Sequence, residues 1–83
     1  MSTVQTPTRL LEEIADLFAS SPDHDQVLGF QPSEAVRRRA GELLAKLRNE
    51  SLAPDEQREL DQFEQAELLM RLVKARLRGR EAE

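Results

Sequence analysis

Apolar residues recur along this chain at the spacing of an α-helix and never at the alternating spacing of a strand. Leu10, Leu11, Ile14, Leu17 and Phe18 fall at i, i+1, i+4, i+7 and i+8, one helical face, while Glu12, Glu13 and Asp16 take the other side. Thr6 or Thr8 can cap this segment, Pro7 suits its first turn, and Ser20 and Ser21 end it, so the pattern predicts a helix over about 8–20. Ser21-Pro22-Asp23 predicts a second start, with serine as the cap and proline in the first helical position. Gly29 stops that piece after a turn or two, giving a short helical turn over about 22–28 whose Val27 and Leu28, with Phe30 just beyond, need cover.

Ser33 predicts the next cap, followed by Val36, Ala40, Leu43, Leu44 and Leu47 at helical spacing and by Asn49 as a terminator. The link Ser51-Leu52-Ala53 is short, and Pro54 with Asp55 and Glu56 suits the start of a further helix. A link this short makes the two helices antiparallel neighbours. From Pro54 to Arg78 nothing breaks the pattern, and Gly79 is expected to end it. The expected fold is therefore all-α: a helical hairpin (about 33–48 and 54–78), an N-terminal helix and a short helical turn. One domain over 7–79 is expected, between flexible tails at 1–6 and 80–83.

The two arms of that hairpin differ in length. At 1.5 Å per residue, 33–48 spans about 24 Å and 54–78 about 38 Å, so the long arm overhangs by roughly 14 Å. The overhang begins near Met70 and is apolar, with Leu72, Val73 and Leu77 following. At 100° per residue, Phe63, Ala66, Met70, Val73 and Leu77 make one stripe, Leu68, Leu72 and Ala75 lie nearly opposite, and Leu69 lies between. A helix apolar on two sides is enclosed on more than one side. Either the N-terminal helix folds across the overhang and closes a monomeric bundle, or part of this surface meets a partner. The second reading is the expectation, with Leu68, Leu69, Met70, Leu72, Val73 and Leu77 as partner-binding residues and either another protein or a second copy as the partner.

Composition narrows the chemistry. The 83 residues include no cysteine and one histidine, so neither a disulfide, a thiolate metal site nor a His-rich metal site is expected, and no cofactor. His24, between Asp23 and Asp25, lacks ligand-type partners and is expected to be structural or solvent-exposed. Sixteen acidic residues against 12 basic ones give a net charge of −4, which argues against binding nucleic acid through bulk charge. Arg37, Arg38 and Arg39 are the sharpest basic run, a candidate nucleic-acid contact. Successive helical residues fan out by 100°, however, and Glu34 and Glu42 nearby favour a solvated, ion-paired face. Thin helical packing offers no cleft for paired carboxylates, and the three glycines are isolated, so no enzyme is expected. No apolar run reaches membrane-span length and no signal-peptide pattern opens the chain, so a cytoplasmic location is the expectation.

Pro32-Ser33-Glu34, Leu43-Leu44, Leu52-Ala53-Pro54-Asp55-Glu56, Glu59-Leu60-Asp61 and the stretch Leu68 to Arg76 carry a resemblance to a group of small bacterial helical proteins. Such proteins usually have threonine where Ala53 stands, so the cap before Pro54 is weakened here. Relatives of this kind are often encoded beside small nucleases, including HNH-type ones. The resemblance thus implies an accessory or antitoxin-like partner protein.

Overall fold

The computed structural model describes residues 8–81 and is all-α. Its helices are α1 (Arg9–Ala19), α2 (His24–Leu28), α3 (Glu34–Arg48) and α4 (Pro54–Glu81). Thr8 caps α1, its side chain accepting from the Leu11 N–H, while Pro7 and the expected 1–6 tail lie outside the described residues. Ser33 caps α3 through the Val36 N–H.

Two boundaries differ from expectation, each for a local reason. Asp23, not Ser21, caps α2 and leaves Pro22 outside the helix. The Asp23 carboxylate accepts from the Gln26 N–H at 2.8 Å, and the Gln26 side chain accepts from the Asp23 N–H at 2.9 Å. This reciprocal pair satisfies two orphan donors, which a lone serine cannot do. Ser21 instead adopts φ 56° just past the α1 C-cap, Ser20. The second difference is that α4 runs through Gly79 to Glu81, so Arg80 is helical rather than part of a tail. No glycine here has positive φ, and without that left-handed residue Gly79 simply continues the helix.

At the end of α3 the turn is a complete Schellman motif built on a glutamate. Ser51 N–H donates to the Lys46 carbonyl and Glu50 N–H to the Leu47 carbonyl, with Glu50 at φ 56°. The chain then reverses into α4. Lys46 pairs with Glu56 and Arg39 with Glu59, a pattern that only antiparallel helices produce.

The 15 residues of α3 reach about 22 Å along an α4 of 28 residues and about 42 Å. α1 joins α4 before that reach ends and continues past it. The Thr8 N–H donates to Gln62 Oε1 at 3.0 Å, and Leu10 and Ile14 share a cleft with Ala66 and Met70, so α1 follows α4 towards its C-terminal end. The Lys74 ammonium donates to the Phe30 carbonyl at 2.8 Å and holds the segment after α2 on the same arm. Glu13 completes the frame: its carboxylate accepts from both the Ser33 N–H (2.9 Å) and the Ser33 hydroxyl (2.6 Å), which ties α1 to the start of α3. The core is Leu10, Ile14, Val27, Val36, Leu43, Leu60, Phe63, Ala66 and Met70, drawn from all four helices.

Candidate functional site

The apolar residues of α4 divide by direction. Phe63, Ala66 and Met70 are buried, and Val73 and Leu77 pack against the core at its edge. On the opposite side Leu68, Leu69 and Leu72 stay 50%, 49% and 44% exposed. Helical geometry accounts for the split: Leu68 and Leu72 sit about 160° to either side of Met70, and Leu69 about 100° away, so helices that cover Met70 leave these three outside.

The six residues expected to bind a partner therefore do not form one surface. Met70, at 6% exposure, is a core residue, and Val73 and Leu77 face inward beside it. This corrects the expectation for those three: α1 covers the overhang on that side. Leu68, Leu69 and Leu72 remain as the exposed set. Exposed Asp61, Glu64 and Gln65 precede them along the outer face, and exposed Ala75, Arg76 and Gly79 follow.

Three further large apolar residues are half-exposed although the helical spacing turned them inward: Phe18 on α1, and Leu44 and Leu47 on α3, at 44%, 45% and 46%. For the α3 pair the cause lies in where α1 begins. Thr8, at its start, bonds α4 at Gln62, so among the described residues no third helix covers Leu44 and Leu47 at the closed end of the hairpin. Periodicity reports which face a residue is on, and not whether a neighbour reaches that far.

The arginine run is dispersed. Arg37 is exposed, and Arg38 pairs with Glu34 at 3.3 Å. Arg39 turns to α4, donating from Nε and Nη2 to the two oxygens of Glu59, each at 2.9 Å, with Glu42 and Glu56 within 4 Å. The fork on Glu59 is the first cause that holds the Arg39 guanidinium still more firmly protonated than an ordinary arginine. Glu56 accepts from Lys46 and from the Ala53 N–H, and these two bonds, in that order, hold its carboxyl below the usual range. Glu56 thus supplies the reciprocal half of a capping box whose other half Ala53 cannot offer. These charges join α3 to α4.

Little of the remaining chemistry is concentrated. His24 opens α2 in an exposed position. Among the described residues no three His, Cys, Asp or Glu side chains converge as metal ligands. An open depression of about 280 Å³ lies between α1, the Phe30–Pro32 segment and α4, with Glu67, Arg71 and Lys74 in its otherwise apolar wall. Among the described residues no helix is long and apolar enough to cross a membrane.

Compared with known proteins, the chain matches no family model, no curated protein and no solved structure.

Proposed function

We propose that this protein is a non-enzymatic protein–protein interaction module whose docking surface is the outer face of α4. The observation that carries the reading is the exposure of Leu68, Leu69 and Leu72 on a helix whose opposite stripe is already sealed by the chain's own core. Single exposed leucines are ordinary. Three within five residues, flanked by charge, form a patch of the kind that binding surfaces use. The resemblance to small bacterial proteins encoded beside nucleases makes a nuclease the first client to try.

The test is affinity purification of the tagged chain from its native host, run beside Leu72→Asp, Leu69→Asp and Arg38→Ala variants. Retention of a defined protein, or of untagged chain, by wild type and Arg38→Ala but not by the leucine variants supports the proposal. A chain that returns alone and monomeric, or equal retention by all four proteins, overturns it.

A further inference from the structure

The depression between α1, the Phe30–Pro32 segment and α4 has an apolar floor and a basic rim. Leu10 and Ile14 of α1 and Ala66 and Met70 of α4 form the floor, and Phe30 stands at its side. With Met70 as origin, Arg71 lies about 100° round α4, Lys74 about 40° and Arg78 about 80°, all in the same direction. The three form a ridge about 10 Å long that borders the depression and continues past it. The helix dipole accounts for Arg78, in the last turn, but Arg71 and Lys74 stand before that turn. Pairing within the chain does not account for them either. Arg9, Arg38, Arg39 and Lys46 each meet a carboxylate. Among the described residues no ion pair joins Arg71 or Lys74 to one, although Glu67 stands four residues before Arg71. Lys74 donates to the Phe30 carbonyl, and an ammonium has further donors to spare.

We propose that this depression binds an extended acidic peptide, with one large apolar side chain seated on the floor and carboxylates set against the ridge of Arg71, Lys74 and Arg78. The site goes beyond the docking face proposed above and lies on a different flank of α4, since Leu69 and Leu72 turn about 100° and 160° to the other side of Met70. Its openness selects a peptide over a small amphiphile. An enclosed ligand site buries about 70–90% of its occupant's surface. A depression of about 280 Å³ that opens to solvent leaves a free alkyl tail partly wet, whereas a side chain carried on a backbone needs cover on one side only. The ridge also outruns the depression, which an extended chain can follow and a compact ligand cannot. Charge sets the direction. Glu67 closes the near end, about 60° round from Met70, so the carboxylates run from Arg71 towards Arg78. The apolar floor has nothing to offer a phosphate backbone, and the net charge of −4 opposes one.

Titration of the isotope-labelled full chain at low salt, followed by the NMR shifts of its amides, tests this. The probes are a blocked peptide of one phenylalanine followed by a run of glutamates and its reversed sequence, which together present the acids in both chain directions. One of the two is expected to move the amides of Ile14, Phe30, Arg71 and Lys74, with a dissociation constant of roughly 10–500 µM. Arg71→Glu weakens this binding by about tenfold or more, and a peptide with serine in place of phenylalanine binds the native chain about tenfold more weakly. Leu72→Asp leaves it unchanged. Arg71 and Leu72 are both exposed, and circular dichroism confirms that each variant keeps its helix content. Absence of binding by both peptides up to about 1 mM overturns the proposal. So does binding indifferent to Arg71→Glu or to the loss of phenylalanine, and so does equal binding of oligothymidylate, which would mark the ridge as a general polyanion surface. Loss of peptide binding in Leu72→Asp also overturns it, because the two flanks of α4 would then be one site.

Discussion

Replacing an apolar side chain by aspartate at two nearby positions of α4 should cost very different amounts. Leu72 keeps 44% of its surface in water, so roughly half of the 1.5–3 kcal/mol that full burial of a leucine contributes is at stake, about 1 kcal/mol. Aspartate is the poorer helix former by about 0.5 kcal/mol, and a new pairing with Arg76 four residues on returns about 0.3 kcal/mol. The net cost of Leu72→Asp is then about 1–1.5 kcal/mol. An 83-residue domain has a stability of about 4–12 kcal/mol, so this variant folds, with a midpoint roughly 4–12 °C lower. Met70 is 6% exposed. Truncating such a side chain costs about 2–5 kcal/mol, and a carboxylate buried without a partner adds several more. Met70→Asp should therefore show no cooperative melt. Thermal denaturation followed by circular dichroism at 222 nm compares the two directly. Similar midpoints for both variants, or loss of folding in Leu72→Asp alone, would refute the assignment of the two faces.

Three further outcomes follow from the geometry. Glu13→Ala should cost about 1.5–3 kcal/mol and Ser33→Ala about 0.5–2 kcal/mol. The double variant should fall short of their sum by about 1 kcal/mol, since both remove the same clamp; additivity in urea denaturation would show that the clamp carries no energy. Gly41→Ala should raise stability by about 0.5–1 kcal/mol, because the position is helical and a methyl group there meets nothing within 4 Å. Glu50→Gly should raise it by up to about 1 kcal/mol, because Glu50 holds φ 56°; an unchanged or lower thermal midpoint contradicts either. Glu56 is held below the ordinary carboxylate range, so its contribution is complete above that range and is lost as pH falls through its own lowered value. Urea midpoints measured between neutral and acid pH should decline less steeply in Glu56→Gln than in wild type, and parallel declines would contradict this.

Local signals carried most of the helix map. The caps Thr8 and Ser33, the stop at Gly29 and the start at Pro54 are short-range chemistry, and each stands where its residues place it. The division of α4 into a stripe through Met70 and an opposite set through Leu68 and Leu72 is arithmetic on 100° and was equally legible. What the pattern does not contain is reach. That α1 lies over the overhang depends on contacts such as Thr8 to Gln62, Glu13 to Ser33 and Lys74 to Phe30, between residues 20 to 54 positions apart. Without them Met70, Val73 and Leu77 read as open surface, and Leu44 and Leu47 read as core. Asp23 displaced Ser21 as a cap through Gln26, a reciprocal bond visible only when both side chains are considered together.

The contact between Thr8 and Gln62 also bears on the order in which the molecule assembles. Lys46 and Glu56 are ten residues apart, Thr8 and Gln62 fifty-four, and closing the longer loop costs about 1.5 kcal/mol more in chain entropy. Loop entropy therefore favours closing the hairpin before the N-terminal helix seats. On the ribosome its wait is longer still, because the groove that receives it consists of residues synthesised at the far end of the chain. Until they emerge, Leu10 and Ile14 travel uncovered.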